Sequence, residues 1–490
     1  MTNSLVDKAA DLIRTAVDYK FILVLLFLKR LSDIRASESR GRKIKPRKGK
    51  QQTGVSETEK IALKIPKELL WDSITQNGKT LPDKLATSMR EIAQQIPELR
   101  GAIDKVDFLE FARNQENQHL LVQLVALFNS FDLGPENISA DHLGNAYEHI
   151  LLKFAPDKAK EGEIYTPLEV IELLVEILNP RPGETVYDPC CGSGGMLIRS
   201  YLWVTQENGK KKSETLSLYG QERNPGICSV SAMNFLFHEI KNARLENGDT
   251  LEFPRFTENG KLKQFDVVIA NIPWNQDGYG QDRLTANFPE RFRFGFPPQN
   301  SADWAWIEHG LASANKRGRA GIIVDNGCLF RGSQERTVRS RIIREDLVEC
   351  VILLPEKLFY NTGAPGVIIV FNRNKSDDRK RKVLFVNASN EFEPHQTIRR
   401  LNFLSDDNIA KTVAMCRKFR ESEGFSRIVE MSEIAKNEFN LNVPLYVASS
   451  RPVESISISD IYSELRRLGA ERAAINKKLE DVVSQIIQVE

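Results

Sequence analysis

The sequence contains few of the residues that build metal centres or disulfide frameworks. It has six cysteines and six histidines in 490 residues. No two cysteines form a C-x-x-C pair, and the histidines fall at no spacing typical of metal ligands. We therefore expect neither a disulfide scaffold nor a bound metal ion.

Long apolar runs and a strong charge bias are also missing. The longest apolar run near the start, Phe21–Leu28, is far shorter than the roughly 20 residues that span a bilayer, so it predicts a helix buried in a protein core. Met1–Ile13 includes an acid and lacks a signal-peptide pattern, and we expect a cytoplasmic protein with no membrane partner. Because the formal net charge is only +2, a phosphate-binding surface must be a local patch or come from a partner.

The chain is too long for one compact core, and its patterns divide it into three predicted domains. Residues 1–150 carry apolar residues at helical spacing, which predicts an all-helical N-terminal domain. Residues 151–450 alternate strand and helix patterns. In residues 451–490, apolar side chains from Ile461 to Ile486 follow steps of three and four, which predicts a coiled-coil-like C-terminal helix for subunit assembly. This seam packs either on its own protein or, as we favour, on a partner helix. The basic stretch Gly41–Lys50 is interpreted as a solvated linker rather than a phosphate contact.

The alternating part predicts an α/β fold with a Rossmann-like sheet and helices on both faces. Its strand candidates are Thr185–Asp188, Leu216–Gln221, Phe265–Ala270, Gly321–Asp325, Val348–Leu354 and Gly366–Asn372. The connection Pro355–Pro365 shows no helical period and favours an antiparallel return. A parallel sheet with one antiparallel hairpin resembles the S-adenosylmethionine-dependent methyltransferases.

A glycine-rich turn follows the first of these strands. Tyr187–Gly195, with the sequence YDPCCGSGG, ends a strand and opens a helix, where an open α/β sheet binds its ligand. The spacing matches neither G-x-G-x-x-G nor a P-loop, and Asp188 before the turn would repel a pyrophosphate. The same carboxylate suits the cationic amino and sulfonium end of S-adenosylmethionine. A glycine turn without a ligand is the alternative.

Two further acids follow at the ends of later segments. Glu222, at the end of the second strand, is predicted to accept both ribose hydroxyl protons of a nucleoside. Asp249, in Gly248–Leu251, is a candidate acceptor for the amino group of the cofactor adenine. Either acid can instead be an ordinary surface residue. Upstream, Thr166 in the sequence GEIYTPLEV is a candidate helix N-cap, although the backbone N–H groups there can also hold a carboxylate.

The stretch Phe265–Asn275, with the sequence FDVVIANIPWN, is predicted to be a buried strand with a polar tip. Asn271 then emerges over the cofactor. An exocyclic purine amine is a poor nucleophile, and two acceptors on its N–H bonds favour attack on a methyl group. The Asn271 side-chain oxygen and the Ile272 carbonyl can supply them, while Trp274 offers a flat face for a flipped base. A strand end with a packed tryptophan is the structural alternative.

Together these motifs resemble the modification subunit of type I restriction–modification systems, in the N6-adenine DNA methyltransferase family. FLKRLSD at Phe27–Asp33 and FNLNVPLYV at Phe439–Val447 extend the resemblance over nearly the whole chain. The family's catalytic motif, Asn-Pro-Pro-Phe or Asn-Pro-Pro-Tyr, falls on Asn271, Ile272, Pro273 and Trp274, so Ile272 replaces a proline and Trp274 the usual Phe or Tyr. The resemblance implies cofactor contacts at Glu163, Ile164, Tyr165, Thr166, Pro167, Leu168, Ser193, Gly194, Gly195 and Glu222.

The resemblance also implies the partners: DNA, a specificity subunit that reads the target site, a restriction subunit, and two copies of this chain per complex. The segment Asn275–Asn300 is expected to close over the target strand, with an ordinary surface loop as the alternative. Two other functions stay open. One is a methyltransferase for cytosine N4, RNA or protein glutamine, and the other is a non-catalytic assembly subunit. A cytosine C5 enzyme is disfavoured because no Pro-Cys nucleophile follows the fourth-strand region, and Cys190 lies in the cofactor turn.

Overall fold

The computed structural model describes residues 7–9, 19–39, 57–76, 80–96, 99–100, 103–104, 106–160, 165–396, 398–448, 462–463, 465–472 and 475–477. The chain forms two compact units, Met1–Val447 and Ala448–Glu490. The division of the first unit into two domains near residue 150 stays a prediction. The basic stretch Gly41–Lys50 lies outside the described residues.

The first part of the larger unit is helical. The apolar run Phe21–Leu28 lies in helix Lys20–Ser39, and every residue of the run is at most 9% exposed. The prediction of a buried helix is therefore confirmed. These apolar side chains pack with those of neighbouring helices because a helix that is apolar all round needs partners on every side. The α-helices of this part whose bounds the structure gives are Lys20–Ser39, Glu57–Lys64, Trp71–Ile74, Leu81–Gln95, Phe108–Ala112, Gln115–Asn129 and Ala140–Lys160.

A nine-stranded sheet forms the centre of the remainder of this unit. The thirteen described strands are β1 Thr185–Asp188, β2 Ser217–Glu222, β3 Ala243–Asn247, β4 Thr257–Glu258, β5 Lys261–Leu262, β6 Phe265–Asn271, β7 Ala314–Asp325, β8 Val348–Leu353, β9 Gly366–Asn372, β10 Lys382–Asn387, β11 Glu393–Pro394, β12 Asn402–Phe403 and β13 Ser426–Glu430. The strand order of the nine-stranded sheet is β13-β10-β8-β9-β7-β6-β1-β2-β3. The short pairs β4–β5 and β11–β12 form separate two-stranded ribbons.

The pairing confirms the predicted fold class. Strands β3, β2, β1, β6 and β7 are parallel, and β9 runs antiparallel to both β7 and β8. The connection Pro355–Pro365 is the return between β8 and β9. Three sheet strands were not predicted. Edge strand β3 has the largely exposed sequence ARLEN, without apolar alternation, while β10 and β13 extend the sheet beyond β8.

Helices cover both faces of this sheet, and two apolar clusters form from alternate residues of its strands. Val267 and Ile269 belong to one cluster, whereas Val268 and Ala270 belong to the other, as expected when successive side chains point to opposite faces. The helices of this part are Leu168–Leu178, Gly195–Asn208, Lys210–Ser213, Pro225–Phe237, Gln281–Thr285, Asp303–Ser313, Ser333–Arg344, Asp406–Lys418 and Met431–Lys436.

The strand order places three predicted site residues side by side. β1 lies between β2 and β6, and all three are parallel, so their carboxyl ends meet at one edge of the sheet. Those ends are Asp188, Glu222 and Asn271. An open parallel sheet binds its ligand outside this edge, where connections from the central strand leave in opposite directions.

In the smaller unit the described residues 462–463, 465–472 and 475–477 are helical. Leu465, Leu468 and Ile475 of the predicted seam are between 49% and 66% exposed. The rest of the seam, including Ile461 and Ile486, lies outside the described residues, and its packing on a partner stays a prediction. Within the described part of the chain, no helix combines the length and apolar character that crossing a membrane requires.

Candidate active site

A cavity of about 760 Å³ lies at the carboxyl edge of β1, β2 and β6. Residues from each of the sequence motifs described above line this cavity. The predicted site residues that line it are Tyr165, Thr166, Leu168, Asp188, Ser193, Gly195, Glu222, Asp249, Asn271 and Pro273. Pro167, Gly194, Ile272 and Trp274 do not line the cavity but adjoin residues that do, and Glu163 and Ile164 lie outside the described residues.

The glycine-rich turn is held in place by helix Pro225–Phe237. Gly192 and Gly194 have φ angles of 53° and 83°, which residues with a Cβ rarely adopt. Asn234 on helix Pro225–Phe237 donates to the Ser193 carbonyl at 3.1 Å, and Ser231 on the same helix donates to the Gly192 carbonyl. The turn therefore presents its backbone to the cavity in a fixed conformation.

Glu222 connects the end of β2 to this turn. Its carboxylate accepts from the Gly192 N–H at 3.1 Å and from the Asn224 N–H at 2.7 Å. Asn224 in turn caps helix Pro225–Phe237. The position of Glu222 in the cavity wall is thus set by backbone donors on both sides, and its predicted role toward a ribose stays a prediction.

Asp188 is a carboxylate buried in the cavity wall, with only 2% of the residue exposed. Burial raises the pKa of Asp188 to about 7, although the Cys190 N–H donates to it at 3.0 Å. Among the described residues it has no ion pair with Lys, Arg or His. A buried acid of this kind is most readily ionised when a cation binds beside it.

Asn271, the last residue of β6, is held at both ends of its side-chain amide. Nδ2 donates to Thr166 Oγ1 at 2.8 Å, and Oδ1 accepts from Trp274 Nε1 at 3.1 Å. Cys190 donates from its thiol to the Asn271 carbonyl at 3.4 Å. These contacts assign the amide orientation, and Oδ1 keeps a second lone pair for another donor.

The two departures from the expected catalytic motif have local consequences. The Ile272 N–H donates to the Ile323 carbonyl of β7 at 3.4 Å, a bond that a proline at this position could not form. Trp274 packs edge-on against Phe359, with ring centroids 4.8 Å apart, and is half-buried. Its predicted stacking on a flipped base stays a prediction.

The segment before helix Leu168–Leu178 corrects one expectation. Pro167, not Thr166, is the N-cap of that helix, and it forms no side-chain cap. The Thr166 hydroxyl is instead the acceptor for Asn271, so the proposed cap was wrong because the side chain serves a tertiary contact. Next to it, the Tyr165 and Tyr19 hydroxyls share a hydrogen bond of 3.0 Å, which joins this segment to the helical part.

Several cavity residues had not been predicted, because they are adjacent only in the tertiary structure. Glu148 and Leu151 come from helix Ala140–Lys160, so the helical part of the chain forms one wall. Glu148 accepts from Arg199 at 2.9 Å. On the opposite side Trp306 donates to Gln276 Oε1 at 3.0 Å. A tryptophan in a helix pattern carries no local signal for a cavity wall.

A partly buried ion network supports the backbone just after the predicted catalytic motif, Asn271–Trp274. Asn275, with a φ of 52°, donates its N–H to Asp303 at 2.8 Å. Arg331 pairs with this fully buried Asp303, with Asp325 at 2.9 Å and with Glu335 at 2.9 Å. The left-handed conformation of Asn275 is therefore held by a hydrogen bond to an aspartate that a cation neutralises.

Chemically, the cavity combines a buried carboxylate, a glycine-rich backbone and a fixed amide at the carboxyl edge of a parallel sheet. Among the described residues no three His, Cys, Asp or Glu side chains come together in a metal-binding arrangement. The thiols of Cys190 and Cys191 are poor nucleophiles, because burial raises their pKa well above its usual range. The arrangement suits a group transfer that proceeds by positioning rather than by covalent catalysis.

Comparison with known proteins agrees with this arrangement. Residues 138–455 match the N-6 DNA Methylase family, and residues 2–128 match the HsdM N-terminal domain. Two relatives from Methanocaldococcus jannaschii, the type I restriction enzyme MjaVII and MjaVIII methylase subunits, are 40% and 38% identical to this chain. The alignments cover 98% and 95% of this chain and 82% and 81% of the relatives.

A solved structure shows the same fold. The type I restriction-modification system methyltransferase subunit from Streptococcus thermophilus is 25% identical and superposes with a TM-score of 0.77. The match covers 91% of this chain and 99% of that protein. The chain described above therefore belongs to the N-6 DNA methylase family and is a modification subunit of the type I restriction–modification kind.

Proposed function

We propose that this chain transfers a methyl group from S-adenosylmethionine to N6 of an adenine flipped out of DNA, within a site chosen by a separate specificity subunit. DNA adenine methylation is the activity of the family to which the chain belongs. The observation that carries the assignment of residues is the clamped Asn271 at the carboxyl end of β6, beside the cavity that also contains Asp188 and Glu222.

The residues of the cavity fit S-adenosylmethionine. Asp188 offers a buried carboxylate without a cationic partner among the described residues, and the cofactor brings an ammonium and a sulfonium. The turn at Ser193–Gly195 allows close backbone approach, and Glu222 lines the cavity at the next strand end. When bound, the cofactor supplies an activated methyl group, so no metal and no covalent enzyme intermediate is needed.

The chain's own residues then act on the adenine amine. Asn271 Oδ1 and the Ile272 carbonyl accept from the two N–H bonds and favour the pyramidal nitrogen that can attack a methyl group. The Thr166 hydroxyl and the Trp274 indole hold Asn271 in the orientation in which Oδ1 is the acceptor. Trp274 also provides the stacking surface, with stacking worth about 1–3 kcal/mol per base.

Selection of the target adenine is assigned to partners. The relatives are named as subunits of type I restriction enzymes, and this chain's net charge of +2 favours no general attraction to DNA. We propose that a specificity subunit reads the site, that a restriction subunit joins for cleavage, and that two copies of this chain act in a cytoplasmic complex. The exposed side chains Leu465, Leu468 and Ile475 are candidates for the helix contact.

The Asn271→Ala variant tests the catalytic assignment in the complex with the specificity subunit. We expect methyl transfer from labelled S-adenosylmethionine to fall by at least about a hundredfold, since an acceptor aimed at the reacting atom is lost. Binding of S-adenosylhomocysteine, measured by calorimetry, should stay within about threefold of wild type because Asn271 is assigned to the target base. Unchanged methyl transfer would refute the assignment.

A matched control is Asn372→Ala, which removes another half-buried asparagine at the last position of a strand. Its amide bonds Glu349 on β8, away from the cavity residues. This variant should retain full activity. Mass spectrometry of the methylated DNA separates the remaining alternative, because N4-methylcytosine in place of N6-methyladenine would identify a cytosine enzyme.

A further inference from the structure

The segment that follows the catalytic motif is packed into the protein rather than lying free on its surface. Leu284, Phe292 and Phe294 are at most 4% exposed and belong to the apolar cluster on one face of the sheet. Other residues of Asn275–Asn300 are exposed, so these side chains anchor the segment, while its closure over the target strand and the surface-loop alternative both stay predictions. The segment rests against Asp249–Glu252, the loop that carries the predicted adenine acceptor.

A buried arginine joins the segment Asn275–Asn300 to the loop Asp249–Glu252 by hydrogen bonds. Arg291 is 1% exposed and donates to the carbonyls of Thr250 at 3.2 Å and Leu251 at 2.7 Å, as well as to carbonyls of its own segment. It also donates to His309 Nδ1 at 3.1 Å. Burial holds the pKa of His309 well below its usual range, so the ring is neutral and Nε2 carries the proton. His309 Nε2 therefore donates to the Tyr187 hydroxyl, at an N···O distance of 3.1 Å. Tyr187 precedes Asp188 in β1.

Two surface contacts reinforce this attachment. Arg283 forms an ion pair with Glu252, and Asn287 donates to the Glu252 carbonyl at 2.8 Å. The Arg283 guanidinium also lies 4.8 Å from the centre of the Tyr279 ring, which fixes that ring from one side. The Asp249 loop and the segment after the catalytic motif thus form one assembly.

Tyr279 and Gln276 are residues of this segment that line the cavity. Tyr279 is 2% exposed, and its hydroxyl donates to Asp249 Oδ2 at 2.6 Å. The other Asp249 oxygen accepts from the N–H groups of Leu251 and Glu252 at 3.0 and 3.2 Å. Burial, together with the hydrogen bond to Asp249, raises the pKa of Tyr279 well above its usual range, so the hydroxyl remains a donor. The Asp249 carboxylate is thereby fixed in plane and direction.

We propose that Tyr279 is a positioning residue for the cofactor, orienting the Asp249 carboxylate toward the exocyclic amine of the cofactor adenine. This inference rests on the proposed function, and specifically on S-adenosylmethionine as the ligand of the cavity. It gives the segment after the catalytic motif a role in cofactor recognition, in addition to any contact with the target strand. Arg291 keeps Tyr279 next to Asp249 because it forms hydrogen bonds to backbone carbonyls both of its own segment and of the loop Asp249–Glu252.

The test compares two ligands that differ at position 6 of the purine and in the proton on the neighbouring N1. S-adenosylhomocysteine carries the 6-amino group, whereas S-inosylhomocysteine has an oxygen there and cannot donate from that position. We expect Tyr279→Phe to weaken binding of S-adenosylhomocysteine roughly three- to tenfold, the effect of a lost hydrogen bond that fixes an acceptor. Binding of S-inosylhomocysteine should change by less than about twofold, with both affinities measured by calorimetry.

The same variant should raise KM for S-adenosylmethionine and leave kcat within about twofold at saturating cofactor, because the target-base clamp is untouched. The control is Tyr446→Phe, which removes another hydroxyl hydrogen bond, to the Asn440 carbonyl at 2.6 Å, away from the cavity. It should bind both ligands as wild type does. Equal affinity of Tyr279→Phe and wild type for S-adenosylhomocysteine would overturn the proposal, as would equal weakening of both ligands. Wild-type protein that binds neither ligand would instead overturn the proposed function.

Discussion

Thr166→Val tests how Asn271 is held in the orientation that catalysis needs. Valine has nearly the shape of threonine but cannot accept the hydrogen bond that Asn271 Nδ2 donates at 2.8 Å. A buried donor left without a partner costs about 1–3 kcal/mol. Both residues are half-buried, which places the expected cost near the lower end of this range. We take a cost of about 1.4 kcal/mol for the lost hydrogen bond. If the Asn271 amide must regain its orientation in the transition state, this cost corresponds to a roughly tenfold lower kcat.

The assay is methyl transfer by the complex with the specificity subunit at saturating S-adenosylmethionine, with cofactor affinity measured separately. We expect kcat to fall about tenfold. The affinity for S-adenosylhomocysteine should change by no more than about threefold, since the cofactor carboxylate is expected to contact backbone N–H groups near Pro167 and not the Thr166 side chain. Thr166→Ser keeps the hydroxyl and should remain close to wild type. An unaltered kcat in Thr166→Val would refute the idea that Thr166 positions Asn271. Loss of affinity with normal kcat would place Thr166 in cofactor binding alone.

Two further predictions concern buried acids. Burial raises the pKa of Asp188 to about 7, and a bound cation favours the ionised carboxylate. The affinity for S-adenosylmethionine should therefore increase as the pH rises from about 6 to about 8, with proton release detected by calorimetry in buffers of different ionisation enthalpy. An equally strong pH dependence in Asp188→Asn would contradict this. Burial also raises the pKa of Glu308 to about 8, so its contribution to stability is present at low pH and is lost as the pH rises through about 8. The melting midpoint of wild type should therefore fall between about pH 5 and pH 8 more than that of Glu308→Gln, because the unfolded carboxyl already ionises near pH 4.5. Parallel curves would show that Glu308 is not the group responsible.

The predictable parts of this protein are those with a local signal. The buried helix around Phe21–Leu28 and strands β1, β6 and β9 come from apolar runs bounded by glycine, proline or polar residues. The strand β3 has no such signal because it lies at the sheet edge with much of its surface exposed. Its pairing with β2 supplies the backbone hydrogen bonds that its side chains do not predict.

Site residues divide in the same way. Asp188 and Asn271 end apolar strands of a predicted parallel sheet, so their positions at its ligand-binding edge could be predicted from the sequence pattern. Tyr279, Arg291 and Glu148 could not, because their partners are distant in sequence and their residue types are common on surfaces and in cores. Thr166 shows the limit most directly: its local context suggests a helix cap, and a tertiary hydrogen bond to Asn271 takes its place.

By itself the sequence determined the alternation of strands and helices, the family, and the small set of polar groups at strand ends that we propose for methyl transfer. The tertiary structure decided which groups share the cavity. It also decided that Thr166 and Trp274 hold the Asn271 amide, and that the segment after the predicted catalytic motif is attached to the Asp249 loop. The physical reason is that strand and turn patterns depend on neighbouring residues, whereas burial, ion pairing and hydrogen-bond direction depend on packing between distant parts of the chain.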